Sequence, residues 1–148
     1  MPIARETKSE GFELVPEGVY QAACYAVYDL GTQQQVFNEQ VKLVHKVLIL
    51  WEINERMTDD RRFSVSKRYT LSLHEKAALR ADLEAWRGKK FTDEELNGFD
   101  LKNIIGANCQ LQIIHNISGD RTYANIASIM ALPKGMTQMK HENPAVCY

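Results

Sequence analysis

Apolar and polar side chains alternate along most of the first 70 residues of this chain, and the period then changes once. From Val19, "VYQAACYAVYDLG" is rich in aromatic and β-branched residues, carries no helix cap, and predicts a long first strand that ends at Gly31. The polar stretch that follows, "TQQQVFNEQ", shows no period and reads as a loop or ragged hairpin. Lys42 to Glu55 is the most apolar run. Alternation sets Val47, Ile49, Trp51 and Ile53 on one face and Lys46, Leu48, Leu50 and Glu52 on the other, so both faces are at least partly covered, as in a central strand. After the charged turn "RMTDDRR", Phe63, Val65, Lys67, Tyr69 and Leu71 alternate with Ser64, Ser66, Arg68 and Thr70. The second and third strands therefore form a hairpin.

At Ser72 the pattern becomes helical. Ser72 and Glu75 have capping-box spacing, which predicts a helix from Leu73 with Leu79, Leu83 and Trp86 as its buried stripe. Gly88 is placed to end it, with Lys89 and Lys90 at the negative end of its dipole. Thr92 with Glu95, and Asp100 ahead of Gly106, mark two short helical connectors. "NCQLQIIHN", "GDR" and "TYANIASIMAL" then read as strand, tight turn and strand, closed by Pro133-Lys134-Gly135. The domain is expected over residues 18–135, between flexible ends at 1–17 and 136–148.

Three strands, a helix and two strands are the element order of a mostly β, five-stranded Greek-key barrel of the oligonucleotide/oligosaccharide-binding (OB) type, with the helix between strands three and four. An α+β sheet with one helix packed on a face has the same order.

Composition narrows the class. The 148 residues suit one domain; hydrophobic residues make up 45% and charged residues 25%, close to a soluble average. No apolar run approaches the roughly 20 residues that span a bilayer, and the first 18 residues lack the apolar core of a secretory signal, so no membrane association is expected. Cys24, Cys109 and Cys147 are scattered without CxxC spacing, which suits a reducing cytosol. Net charge is −1, but residues 46–90 hold 11 Lys/Arg against 7 Asp/Glu, so the positive excess sits in the middle third.

That middle third carries the candidate chemistry. Single strands are held by cations along the phosphates and by rings on which bases stack. Trp51, Lys67, Arg68 and Tyr69 lie on the second and third strands, with Arg61 and Arg62 in the turn between them. Arg121 and Tyr123 follow the turn between the last two strands. Tyr25 and Tyr28 are further candidates, and strict alternation puts them on opposite faces. Against this stands ordinary packing: a Trp or Tyr in an alternating strand is readily a core residue, and Lys67, on the face of Phe63, Val65 and Tyr69, cannot stay buried alone. No enzyme, cofactor or metal is expected. The four histidines are never at ligand spacing from one another or from a cysteine, and phosphate-loop, GxSxG and HExxH motifs are absent. Asp59-Asp60 and Asp93-Glu94-Glu95 could hold magnesium for a nuclease, but a turn and a helix N-terminus account for them.

The segments "YDLGTQQQ", "LWEI", "SVSKRYTLSLHEKAALRADLEAWRGKKFTDEELNGFDLKNIIGANCQLQIIHN" and "TYANIASIMALPKG" resemble a family of small phage and prophage single-stranded DNA-binding proteins of OB fold, over roughly residues 18 to 136. The resemblance implies a protein that coats single-stranded DNA without base readout during replication or recombination, in the cytoplasm of a bacterial host. Replication or recombination proteins, and further copies of the chain, would be its partners. Many such binders end in an acidic recruiting peptide, which "KHENPAVCY" is not. The alternative is a barrel that binds a replication or recombination protein and no nucleic acid.

Overall fold

A computed structural model describes residues 14–147 of the protein, with the backbone alone at Phe37. The chain runs β1 Gly18–Phe37, β2 Gln40–Arg56, β3 Arg62–Thr70, α1 Ala78–Arg87, α2 Asp93–Leu96, a 3-10 turn at Leu101–Ile104, β4 Asn108–Ser118, β5 Arg121–Ala131 and β6 Val146–Cys147. The protein is mostly β. One antiparallel sheet has the order β3-β2-β1-β4-β5, and β6 adds to β1 in parallel. The sheet is open: among the described residues β3 and β5 approach each other without a shared ladder.

The polar stretch after Gly31 is strand rather than loop. β1 and β2 continue as a two-stranded ribbon to a turn at Asn38 and Glu39, whose φ values of 49° and 66° suit a hairpin twist. Val36, Val41 and Leu43 are exposed there. Neither face of the ribbon tip is covered, so no alternation of hydropathy marks it in the sequence. Two irregularities interrupt β1, at Tyr25 and before Gly31; Gly31 takes a φ of 74° and donates to Asp29 Oδ1 at 2.8 Å.

Inside the curl, Ala22, Cys24 and Val27 of β1 meet Val47, Ile49, Trp51 and Ile53 of β2, Val65 of β3, and Cys109, Leu111 and Ile113 of β4. Helix α1 packs on β5 and β3, the two edges that do not pair, and presents Leu79, Leu83 and Trp86. The rings of Trp51 and Trp86 lie 5.7 Å apart, and Trp86 Nε1 donates to the Asn108 carbonyl at 2.9 Å. That bond fixes the helix to the start of β4.

The helix begins five residues later than its sequence predicts. Ser72 Oγ accepts from the His74 amide in a turn, and the true N-cap, Ala77, makes no side-chain cap bond. Geometry explains the shift: at 3.6 residues per turn, Leu73 in a continuous helix would lie about 120° from the Leu79–Leu83–Trp86 stripe. Outside the helix, it packs against the core. The other signals hold. Gly88 ends α1 with a φ of 74°, Thr92 and Glu95 form a reciprocal capping box, and Asp100 caps the 3-10 turn.

The described parts of the two segments expected to be flexible, residues 14–17 and 136–147, make contacts with the body. Val15 is buried and its carbonyl meets His115 Nε2 at 2.7 Å, while residues 1–13 of the expected N-terminal segment lie outside the described residues. At the other end Thr137 and Met139 bond Gln21 and Asn108, and the chain reaches β6 beside Ala26 and Val27. We call residues 137–147 the strap; Tyr148 also lies outside the described residues.

Candidate nucleic-acid interface

The residues expected to line a groove divide into two groups. Trp51 has no exposed surface and Tyr69 is 3% exposed, so the rings are core rather than platform. Lys67 shares their face, and its charge is met by α1: Nζ reaches Asp82 Oδ2 at 2.9 Å, and Tyr69 donates to the same oxygen. Burial, and then the Asp82 carboxylate, push the Tyr69 hydroxyl far above its ordinary value, so it remains a donor. Lys67, Tyr69 and Asp82 thus fasten helix to sheet. Their residue types match a base-and-phosphate site, but their positions serve packing.

The outward face of β1, β2 and β3 offers the other arrangement. Cross-strand partners share a face, so the pairs Tyr28–Leu48 and Leu48–Arg68 form one row across three strands. Gly31, Lys46 and Thr70 form the row before it, with Lys46 Nζ 2.8 Å from Thr70 Oγ1. Ala26, Leu50 and Ser66 form the row after it. Arg68 and Ser66 are exposed, and Leu48 and Leu50 are half-buried. Tyr25 also faces outward, reaching Ser64 Oγ at 2.6 Å, because the irregularity at its position lets two tyrosines three residues apart share a side. Strict alternation had separated them; only pairing geometry reveals the bulge.

Arg121 and Tyr123 are exposed on one side of β5 beside the Gly119-Asp120 turn, where Gly119 takes a φ of 65°. Arg61 is largely exposed and chelates Asp59 at 2.7–2.8 Å, which holds that carboxyl below its usual range.

Arg62 is held inside a network. It donates to Glu52 Oε2 and to the Lys140 carbonyl, each at 2.7 Å. Glu52, on the outward face of β2, is completely buried because the strap covers it; the Glu142 and Asn143 amides and Asn143 Nδ2 donate to its carboxylate at 2.6–2.9 Å. Burial pushes this carboxyl up, but the strap amides and Arg62 outweigh it and hold it below its ordinary value of 4.5. Arg56 completes the network with two bonds to the Glu142 carboxylate at 2.7 and 3.2 Å.

Among the described residues, no group of three or more His, Cys, Asp or Glu side chains is placed to hold a metal, and no helix is long and apolar enough to cross a membrane. Cys24 and Cys109 are free and buried; burial pushes the Cys24 thiol up to about 12 and Cys109 higher, so neither is a thiolate nucleophile at neutral pH. No family model matches the chain, and no curated protein matches it at a significant level.

Proposed function

We propose that this protein binds single-stranded DNA without base readout, across the outward face of β1–β3. The row Tyr28–Leu48–Arg68 carries the reading. A ring, an aliphatic floor and an exposed guanidinium, with Lys46 one row away, supply stacking and phosphate contacts that do not depend on which base is present. Arg121 and Tyr123 on the β4–β5 hairpin extend it, while Trp51, Lys67 and Tyr69 support the barrel wall from within.

The fold we propose is a partly open OB-type barrel. The order β3-β2-β1-β4-β5 and a helix resting on both edge strands support it. In that fold the middle strands and the hairpins β1–β2 and β4–β5 hold oligonucleotides. The family resemblance adds the setting: phage or prophage replication or recombination in a bacterial cytoplasm. Enzymatic activity forms no part of the reading.

A thymidine homopolymer of about 30 nucleotides, long enough to exceed one site, tests it by fluorescence anisotropy at low and physiological salt beside an equal duplex. Binding to the single strand that weakens as salt rises is expected, and Tyr28→Ala with Arg68→Ala should reduce it at least tenfold, since each lost stack costs about 1–3 kcal/mol. One observation favours the other class of function. Val36, Val41 and Leu43 leave apolar surface on the β1–β2 ribbon, as a protein-binding barrel would. Absence of single-strand binding even at low salt would select that reading.

A further inference from the structure

We propose that Arg56 and Arg62 form a phosphate subsite at the β2–β3 end of the same face, and that Glu142 of the strap occupies it in place of a phosphate. The inference rests on the single-strand reading above and adds its regulation: the strap competes with the nucleic acid for two guanidinium groups.

Position comes first. Arg62, Ser64, Ser66 and Arg68 recur at every second residue of β3 on the outward side, so Arg62 continues the line of donors that begins with Arg68. Arg56 is its partner across the β2–β3 hairpin. An extended polyanion lying along β3 would therefore reach this pair next.

The occupant already has the chemistry of a stand-in. Glu142 is the only acidic residue after Asp120. Its carboxylate binds Arg56 through both terminal nitrogens and comes within 3.6 Å of Arg62 Nε. Arg62 Nε is buried and has no hydrogen-bond partner, so the carboxylate leaves one donor unused. A phosphate, with more acceptor oxygens in the geometry that guanidinium forks match, could satisfy both residues. The side chains of Glu142 and Arg56 are 49% and 42% exposed, so this contact faces solvent and can exchange.

The buried part of the network limits what exchanges. Glu52 keeps its bond to Arg62 Nη1 whatever Glu142 does, so most of the charge released is that of Arg56. Exchange of the Glu142 side chain alone leaves the strap amides on Glu52.

Glu142→Gln is the test, because it keeps the backbone donors to Glu52. With the same thymidine homopolymer, the variant should bind several-fold more tightly, and its plot of log affinity against log salt should steepen by about 0.7 for each guanidinium freed. Adding Arg56→Ala should abolish the gain. Glu55→Gln, which removes an equal charge from β2, should leave the slope as it is. A wild-type protein that binds beside a Glu142→Gln variant of unchanged affinity and slope would overturn the subsite and leave the functional reading standing. No binding by either protein would overturn both.

Discussion

Glu52 shows how little a residue's type says about its role until its neighbours are known. Alternation puts it on the face of Lys46, Leu48 and Leu50, opposite Trp51, and that face of β2 is the outward one. Its burial comes from a segment some 90 residues away, whose amides no alternation pattern could have assigned to it. Because its folded pKa is depressed, its contribution is fully present above the ordinary value of 4.5 and is lost as pH falls through the lower folded value. The Glu142 and Asn143 amide resonances should therefore change together in acid, below pH 4.5. Glu52→Gln should loosen the strap at Glu142 and Asn143 at neutral pH and lower stability by about 3 kcal/mol, since Arg62 loses its buried charged partner. Chemical denaturation reads that difference. Trp51 supplies a second check. The chain has two tryptophans, both in the core, so saturating single-stranded DNA should leave intrinsic fluorescence nearly unchanged; strong quenching would return Trp51 to the binding surface.

Elements were legible where one face is dry and the other wet. β2 and β3 show in the sequence because Val47, Ile49, Trp51, Phe63 and Val65 face one core, and α1 shows because Leu79, Leu83 and Trp86 do. The β1–β2 ribbon was hidden because water reaches both its sides. The cap spacing of Ser72 and Glu75 points to an earlier start of α1 than the observed Ala78, because the position of Leu73 obeys packing. The same competition decides Lys67 and Tyr69: a basic residue and a ring on one strand face suit nucleic acid until Asp82 arrives from α1. Asp82→Asn should consequently loosen the helix and cost about 1–3 kcal/mol, because it weakens a charge-assisted pair and a tyrosine bond together. A folded, equally stable Asp82→Asn protein in urea would show that the fastening is dispensable.

At the scale of the molecule, a net charge of −1 gives no general attraction to a polyanion, so the proposed binding depends on where cations stand. The sheet sets Lys46 and Arg68 beside outward tyrosines on three adjacent strands, turns Trp51 and Tyr69 inward, and leaves Tyr123 exposed on β5. The site was half legible: its strands and Arg68 followed from alternation, whereas Tyr25 and Tyr28 on one side required the bulge, and the strap carried no pattern at all. The central claim is that the outward face, rather than an interior groove, meets the strand. Amide and tyrosine-ring chemical shifts recorded during titration with a short thymidine oligonucleotide test it most directly. We expect the largest changes at Tyr25, Tyr28, Lys46, Ser66 and Arg68, with Trp51, Lys67 and Tyr69 nearly still. Changes centred on Trp51, Lys67 and Tyr69, or none at low salt, would contradict it.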